Sequence, residues 1–163
     1  MGDYFPAEIH IGGPVKRQDV KGLCEAIRRE GVSIGEYGGP GFEPETAEDL
    51  LEAARECDGV ISLYDDDADG GMFEQLEEFC EQHDIPFTRK NDAKYEHRAE
   101  VVEFRAGWAE CQAFPADNDG NQLVDVREIE KILDKTTTYE QARTLIRKAC
   151  GLGIPPLPKF CVI

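Results

Sequence analysis

The chain reads as an α/β domain with a mostly parallel βαβαβαβ core that becomes α+β at its C-terminal end. Three observations predict this. Between Ala7 and Thr88, short strand-type runs alternate with amphipathic helical runs, the order that builds a parallel sheet with right-handed crossovers. After Lys90 strand signals follow one another closely, which reads as an antiparallel meander added to the sheet edge. Two helical patterns come last. At 163 residues the expectation is one domain of two or three layers over residues 1–151, with residues 152–163 an extended Pro-rich tail packed on it.

Each element has its own signal. Ala7-Glu8-Ile9-His10-Ile11 alternates and meets Gly12-Gly13-Pro14, a strand and its turn. From Arg17 to Glu30, Val20, Leu23, Cys24 and Ile27 share one helical face, and Gly31 stops the helix. Val32 to Tyr37 reads as a second strand. The next helix runs from Thr46 to Cys57, with Thr46 and Asp49 spaced as a capping box and Leu50, Leu51 and Ala54 facing inward. Val60 to Tyr64 is mostly apolar and reads as a central strand. Met72 to His83 is a third helix with Phe73, Leu76, Phe79 and Cys80 inward, and Ile85 to Thr88 begins a fourth strand. Beyond it, Val101 to Phe104, Cys111 to Phe114 and Leu123 to Val126 are strand-like. Arg127 to Lys135 and Thr138 to Cys150 are helical. Ile154-Pro155-Pro156-Leu157-Pro158 is held extended by its prolines.

Charge is the most unequal property of the sequence. Residues Gly41 to Ile85 hold sixteen acidic side chains and one basic one, Arg55, so this window carries −15 of the chain's −16. Such a balance excludes nucleic acid as a direct ligand, since phosphates are repelled, and anionic membrane surfaces. It points to a basic protein partner or to cations. Residues 101–163 hold nine acids and eight bases, which does not fit a surface adapted throughout to high salt. No apolar run approaches the roughly 20 residues of a membrane span, and the N-terminal residues lack the basic and apolar regions of a signal peptide. A cytoplasmic protein is expected, with its six scattered cysteines reduced and mostly buried, and His10, His83 and His97 in ordinary roles.

Three constellations are candidates for function. The first is the acidic face of two helices, Glu45, Glu48, Asp49, Glu52 and Glu56 on one and Glu74, Glu77, Glu78 and Glu81 on the other. If both helices lie on one side of the sheet, these carboxylates form a continuous negative surface. It would bind a basic protein surface, one form of which is a nucleic-acid mimic that inhibits a nucleic-acid-binding protein. A merely solvated face is the alternative. The leading expectation is thus a non-catalytic acidic interaction protein with no required cofactor.

The second is Asp65, Asp67 and Asp69, set at the end of the third strand and just before a helix, where open α/β sheets bind ligands. Carboxylates there suit Mg²⁺ or Mn²⁺. Asp65 and Asp67 resemble the DxD strand end of the Toprim family, a likeness over some 15 residues that implies metal-dependent phosphoryl transfer. The family's catalytic glutamate at the end of an early strand has no counterpart here. Stabilisation of the following helix N-terminus by these acids is the alternative.

The third is Asp117 to Glu128. Asp117, Asp119, Asn121, Asp125 and Glu128 resemble the ligand positions of an EF-hand loop and imply Ca²⁺ and a calcium-modulated binder. Gln122 stands where that family has glycine. A β-hairpin with an Asp-Gly-type turn accounts for the same residues. Ser33 and Ser62, the two serines, lie in no nucleophile motif, and no nucleotide-binding glycine loop is present.

Overall fold

The computed structural model describes residues 3–94 and 97–163. In chain order the elements are β1 (Tyr4–Ile11), β2 (Pro14–Val15), α1 (Val20–Glu30), β3 (Ser33–Ile34), α2 (Ala47–Glu56), β4 (Ile61–Asp69), α3 (Glu74–Gln82), β5 (Phe87–Asn91), β6 (Glu100–Phe104), β7 (Gln112–Pro115), α4 (Val126–Lys135), α5 (Tyr139–Ala149) and β8 (Cys161–Val162). The architecture is mixed α+β. A six-stranded sheet runs in the order β3-β4-β1-β5-β6-β7, and every neighbouring pair in it is antiparallel.

The expected mostly parallel core is therefore incorrect. β4 and β5 run parallel to each other but are separated by β1, and β1 and β3 run parallel but are separated by β4. The two split β-α-β units interlock in the connectivity of ferredoxin-like sheets, with α2 inserted between β3 and β4. Strand–helix alternation is common to this arrangement and to a parallel sheet. The distinguishing signal is the polar residue at every second position of β1 and β5, Glu8 and His10, Thr88 and Lys90. Such alternation belongs to a sheet with one open face.

Ala7, Ile9 and Ile11 of β1, Ile61 and Leu63 of β4, and Phe87 of β5 point to the helical side. There they pack with Leu23, Cys24 and Ile27 of α1, Leu50 and Ala54 of α2, and Leu76 and Cys80 of α3 in one buried cluster. α1 lies between the other two, packing on α3 and on α2. Helices α4 and α5 pair with each other beyond this core, and Phe114, Ile132 and Ala142 are buried in their vicinity. The Leu123–Val126 segment is not a strand. Asp125 caps α4 by accepting the Arg127 N–H at 2.7 Å, so Val126 opens that helix.

The C-terminal segment is held at many points. Its Pro158 carbonyl accepts the Gly13 N–H, Arg105 Nε donates to the Pro155 carbonyl, and β8 pairs in parallel with β2. Phe160 enters the main core. Gly12 permits this approach, because a Cβ there would stand 2.2 Å from the Pro158 oxygen.

Candidate functional site

α2 is organised by its N-terminus. Thr46 accepts the Asp49 N–H at 3.3 Å, while Asp49 Oδ2 accepts the N–H groups of Thr46 at 2.8 Å and Glu45 at 2.9 Å. Those donors hold the Asp49 carboxyl below its ordinary range, the Glu45 N–H first among them. With Leu50, Ala53 and Ala54 buried, α2 exposes Glu48, Glu52 and Glu56. A cleft of about 510 Å³ runs beside it. Glu43, Glu45, Asp49, Glu52 and Glu56 supply its carboxylates, and Ile34, Phe42, Pro44 and Ala53 its apolar lining. Two ion pairs lie nearby at the surface, Arg28 with Glu45 at 3.9 Å and Arg55 with Glu48 at 3.0 Å.

α3 is not a second copy of this face. Glu74 and Glu78 are exposed and Glu81 is half-buried beside Cys111. Burial and the Glu81 charge push the Cys111 thiol up to about 11. Glu77, expected on the acidic surface, is 5% exposed and faces inward. Its Oε1 accepts the Phe73 N–H at 2.9 Å and lies 2.9 Å from Arg89 Nε. That ion pair lacks hydrogen-bond alignment at Nε. Arg89 is completed by Glu100, the Gly71 carbonyl and Asn91 Oδ1 at 2.7–2.8 Å. Two further N–H groups at the start of α3 are met from α1, where Glu30 Oε1 accepts those of Gln75 and Leu76 at 3.0 and 3.1 Å.

The continuous negative surface does not form either. α2 and α3 lie on one side of the sheet, but α1 between them exposes Lys21, Arg28 and Arg29. Two acidic patches result, and the one beside α2 has the cleft.

Asp65 and Asp67 lie within β4, and Asp69 is its last residue. Asp66 and Asp67 together stand opposite Pro6, between the pairs Ala7↔Asp65 and Phe5↔Ala68. Proline brings no N–H to the ladder, so β4 bulges outward there. Asp65 Oδ1 accepts the Asp67 N–H at 2.9 Å and Asp66 Oδ2 accepts the Gly38 N–H at 3.1 Å. The matching pair Asp65 and Asp67 therefore lacks the strand-end position that the Toprim likeness requires.

Residues 117–121 form the turn of a short hairpin, and residues 126–128 already belong to α4. Ala116 bridges to Gln122, and the preceding residues form β7 in place of an entering helix. Asp117 turns its oxygens on its own loop, accepting the N–H groups of Asp119 and Asn121 and the Asn121 side-chain amide. The Asn121 amide leads in holding its carboxyl low. Asp125 is the α4 cap, and Glu128 faces Lys131 at 3.9 Å. Among the described residues, no group of three or more His, Cys, Asp or Glu side chains is placed to hold a metal ion.

A polar network on the open face of the sheet is invisible in any linear motif. His10 Nδ1 is 2.9 Å from Ser62 Oγ on the facing strand, and His10 Nε2 is 3.3 Å from Glu8 Oε1. Lys90 Nζ lies 3.5 Å from the same Glu8 oxygen. The His10 hydrogen bond, foremost, and Lys90 keep Glu8 below its ordinary range against its partial burial. Glu8 and Lys90 border a cleft of about 310 Å³ with Tyr37, Asp92 and the 117–120 turn. Ser62 is 6% exposed, so this trio does not offer a nucleophile to substrate. The period-two polar positions on β1 and β4 are the signal that places these residues on one face.

Comparison with protein-family models, curated proteins and solved structures gives no match. Among the described residues, no helix is long and apolar enough to cross a membrane.

Proposed function

We propose that the chain is a non-catalytic interaction module whose acidic cleft beside α2 takes a basic, partly apolar segment of a partner protein. One observation carries the reading: five carboxylates and four apolar side chains line a single cleft of about 510 Å³. Carboxylates along the rim suit Lys and Arg side chains, while Ile34, Phe42 and Pro44 provide the desolvated contact that charge alone lacks. This narrows the partner surface from residues 41–85 to the neighbourhood of Glu45, Glu52 and Glu56. A continuous mimic of a phosphate backbone is less well supported, because Lys21, Arg28 and Arg29 of α1 interrupt the acid.

The test is titration calorimetry with a short peptide rich in Lys and Arg and containing Leu, alongside a Lys-free control of the same length. Binding should weaken steadily as salt rises. The Glu52→Gln/Glu56→Gln variant should lose about tenfold in affinity, equivalent to about 1.4 kcal/mol. Equal affinity in that variant, or no binding at low salt, removes the proposal.

A further inference from the structure

We infer that Arg28 of α1 is a specificity residue of the α2 cleft, holding Glu45 so that a partner's bases are read at the opposite end by Glu52 and Glu56. The inference rests on the cleft reading above. The cleft is unequal along its length. At the start of α2, Asp49 Oδ2 is committed to the N–H groups of Glu45 and Thr46. Arg28 Nη1 lies 3.9 Å from Glu45 Oε1, and a helix N-terminus is itself a partial positive charge. Of the carboxylates lining this end, Glu43 alone is uncommitted among the described residues. Phe42 and Pro44, on the segment that enters α2, weight the same end towards apolar contact. At the far end Glu52 and Glu56 stand one turn apart on one face of α2. Both are exposed, and among the described residues neither forms an ion pair. Glu56 is the last residue of the helix, where the partial negative charge of the terminus adds to theirs. A bound segment therefore places its bases at Glu52 and Glu56 and its apolar side chain beside Phe42 and Pro44.

Arg28 suits this part because of how it is fixed. One turn before it, the Cys24 thiol lies 3.9 Å from the carbonyl of Thr46, the N-cap of α2. That stretch of α1 is thus set against the start of α2. The side chain of Arg28 is 35% exposed and that of Glu45 is 78% exposed. Arg28 has a largely covered stem, whereas Glu45 stands out in solvent. A partner base that reached Glu45 would have to draw it from Arg28 and face the like charge left behind. Surface pairs of this kind are weak, so Arg28 biases the cleft without sealing it. Arg29, the next residue, carries the same charge at an exposed position but makes no such contact with a cleft carboxylate.

The experiment is calorimetric titration of the intact chain with the peptide rich in Lys and Arg and containing Leu. The parent is compared with Arg28→Gln, Arg29→Gln and Arg28→Gln/Glu45→Gln, each checked for an unchanged circular dichroism spectrum. Arg28→Gln should bind about two- to fivefold more tightly, the range that releasing a surface pair allows. Its affinity should also fall more steeply with salt, because Glu45 joins the contact. In the double variant that gain should vanish. Arg29→Gln reports the general effect of removing one positive charge and should give a smaller gain. An Arg28→Gln variant that binds no tighter than the parent, a gain that Arg29→Gln matches, or a gain that survives the loss of Glu45 would each overturn the inference and leave the cleft reading in place. A parent that binds no peptide at low salt overturns both.

Discussion

Replacing Arg89 with methionine should be the most damaging single change at a polar residue in this chain. Arg89 is 2% exposed and sits 2.9 Å from Glu77, which is itself 5% exposed. Removing one member of a buried pair leaves the other charge uncompensated, at a cost of about 3–5 kcal/mol. Glu100 is more than a third exposed at its side chain and adds little to that figure. Domains of this kind have only about 5–15 kcal/mol of stability in total. The loss should also depend on pH. Burial already raises Glu77 above its ordinary 4.5, with Arg89 the main opposing influence. A carboxyl raised on folding holds a proton that the unfolded chain releases, so stability falls as pH climbs through that range. Without Arg89 the rise is larger and the fall extends to higher pH. Urea unfolding of Arg89→Met should therefore show a loss near 4 kcal/mol at pH 8 that shrinks markedly at pH 5. The Glu77→Met/Arg89→Met pair should recover most of it. A loss under about 1 kcal/mol, or one that does not change with pH, would refute the assignment of this network as a buried ion pair.

Other substitutions test other joints. Glu30→Ala should cost about 1 kcal/mol by urea unfolding, because two N–H groups at the start of α3 lose their acceptor. Gly12→Ala should cost about 1–3 kcal/mol and expose the C-terminal segment to limited proteolysis, since its Cβ collides with the Pro158 carbonyl. Millimolar Ca²⁺ should raise the unfolding midpoint no more than Mg²⁺ or KCl of matched ionic strength, because Asp117 already spends its oxygens on Asp119 and Asn121. A Ca²⁺-selective rise that Asp119→Asn abolishes would reverse that conclusion.

The helices were legible because their signals are local. Thr46 and Asp49 announce the α2 capping box three residues apart, and Gly31 ends α1 in the left-handed conformation that glycine favours. Strand order was legible only in the polar alternation of β1 and β5, because strand–helix alternation by itself leaves open whether successive strands are neighbours or are split by β1. The fate of Glu77 was half legible. It stands four residues after Phe73 and three before Cys80, within the buried stripe of α3, and Arg89 falls at an inward position of β5 between Phe87 and Asn91. Recognising either as buried requires knowing that the other lies opposite. Ser62 and His10 meet across strands β4 and β1, and no spacing along the chain encodes that contact.

The docking of Phe160 and β8 has a consequence for synthesis. β1 is made before its two neighbours in the sheet, β4 and β5, and the core that they share includes a ring that arrives some seventy residues after β5. A nascent chain growing at about 5–20 residues per second therefore carries an unsealed sheet for several seconds.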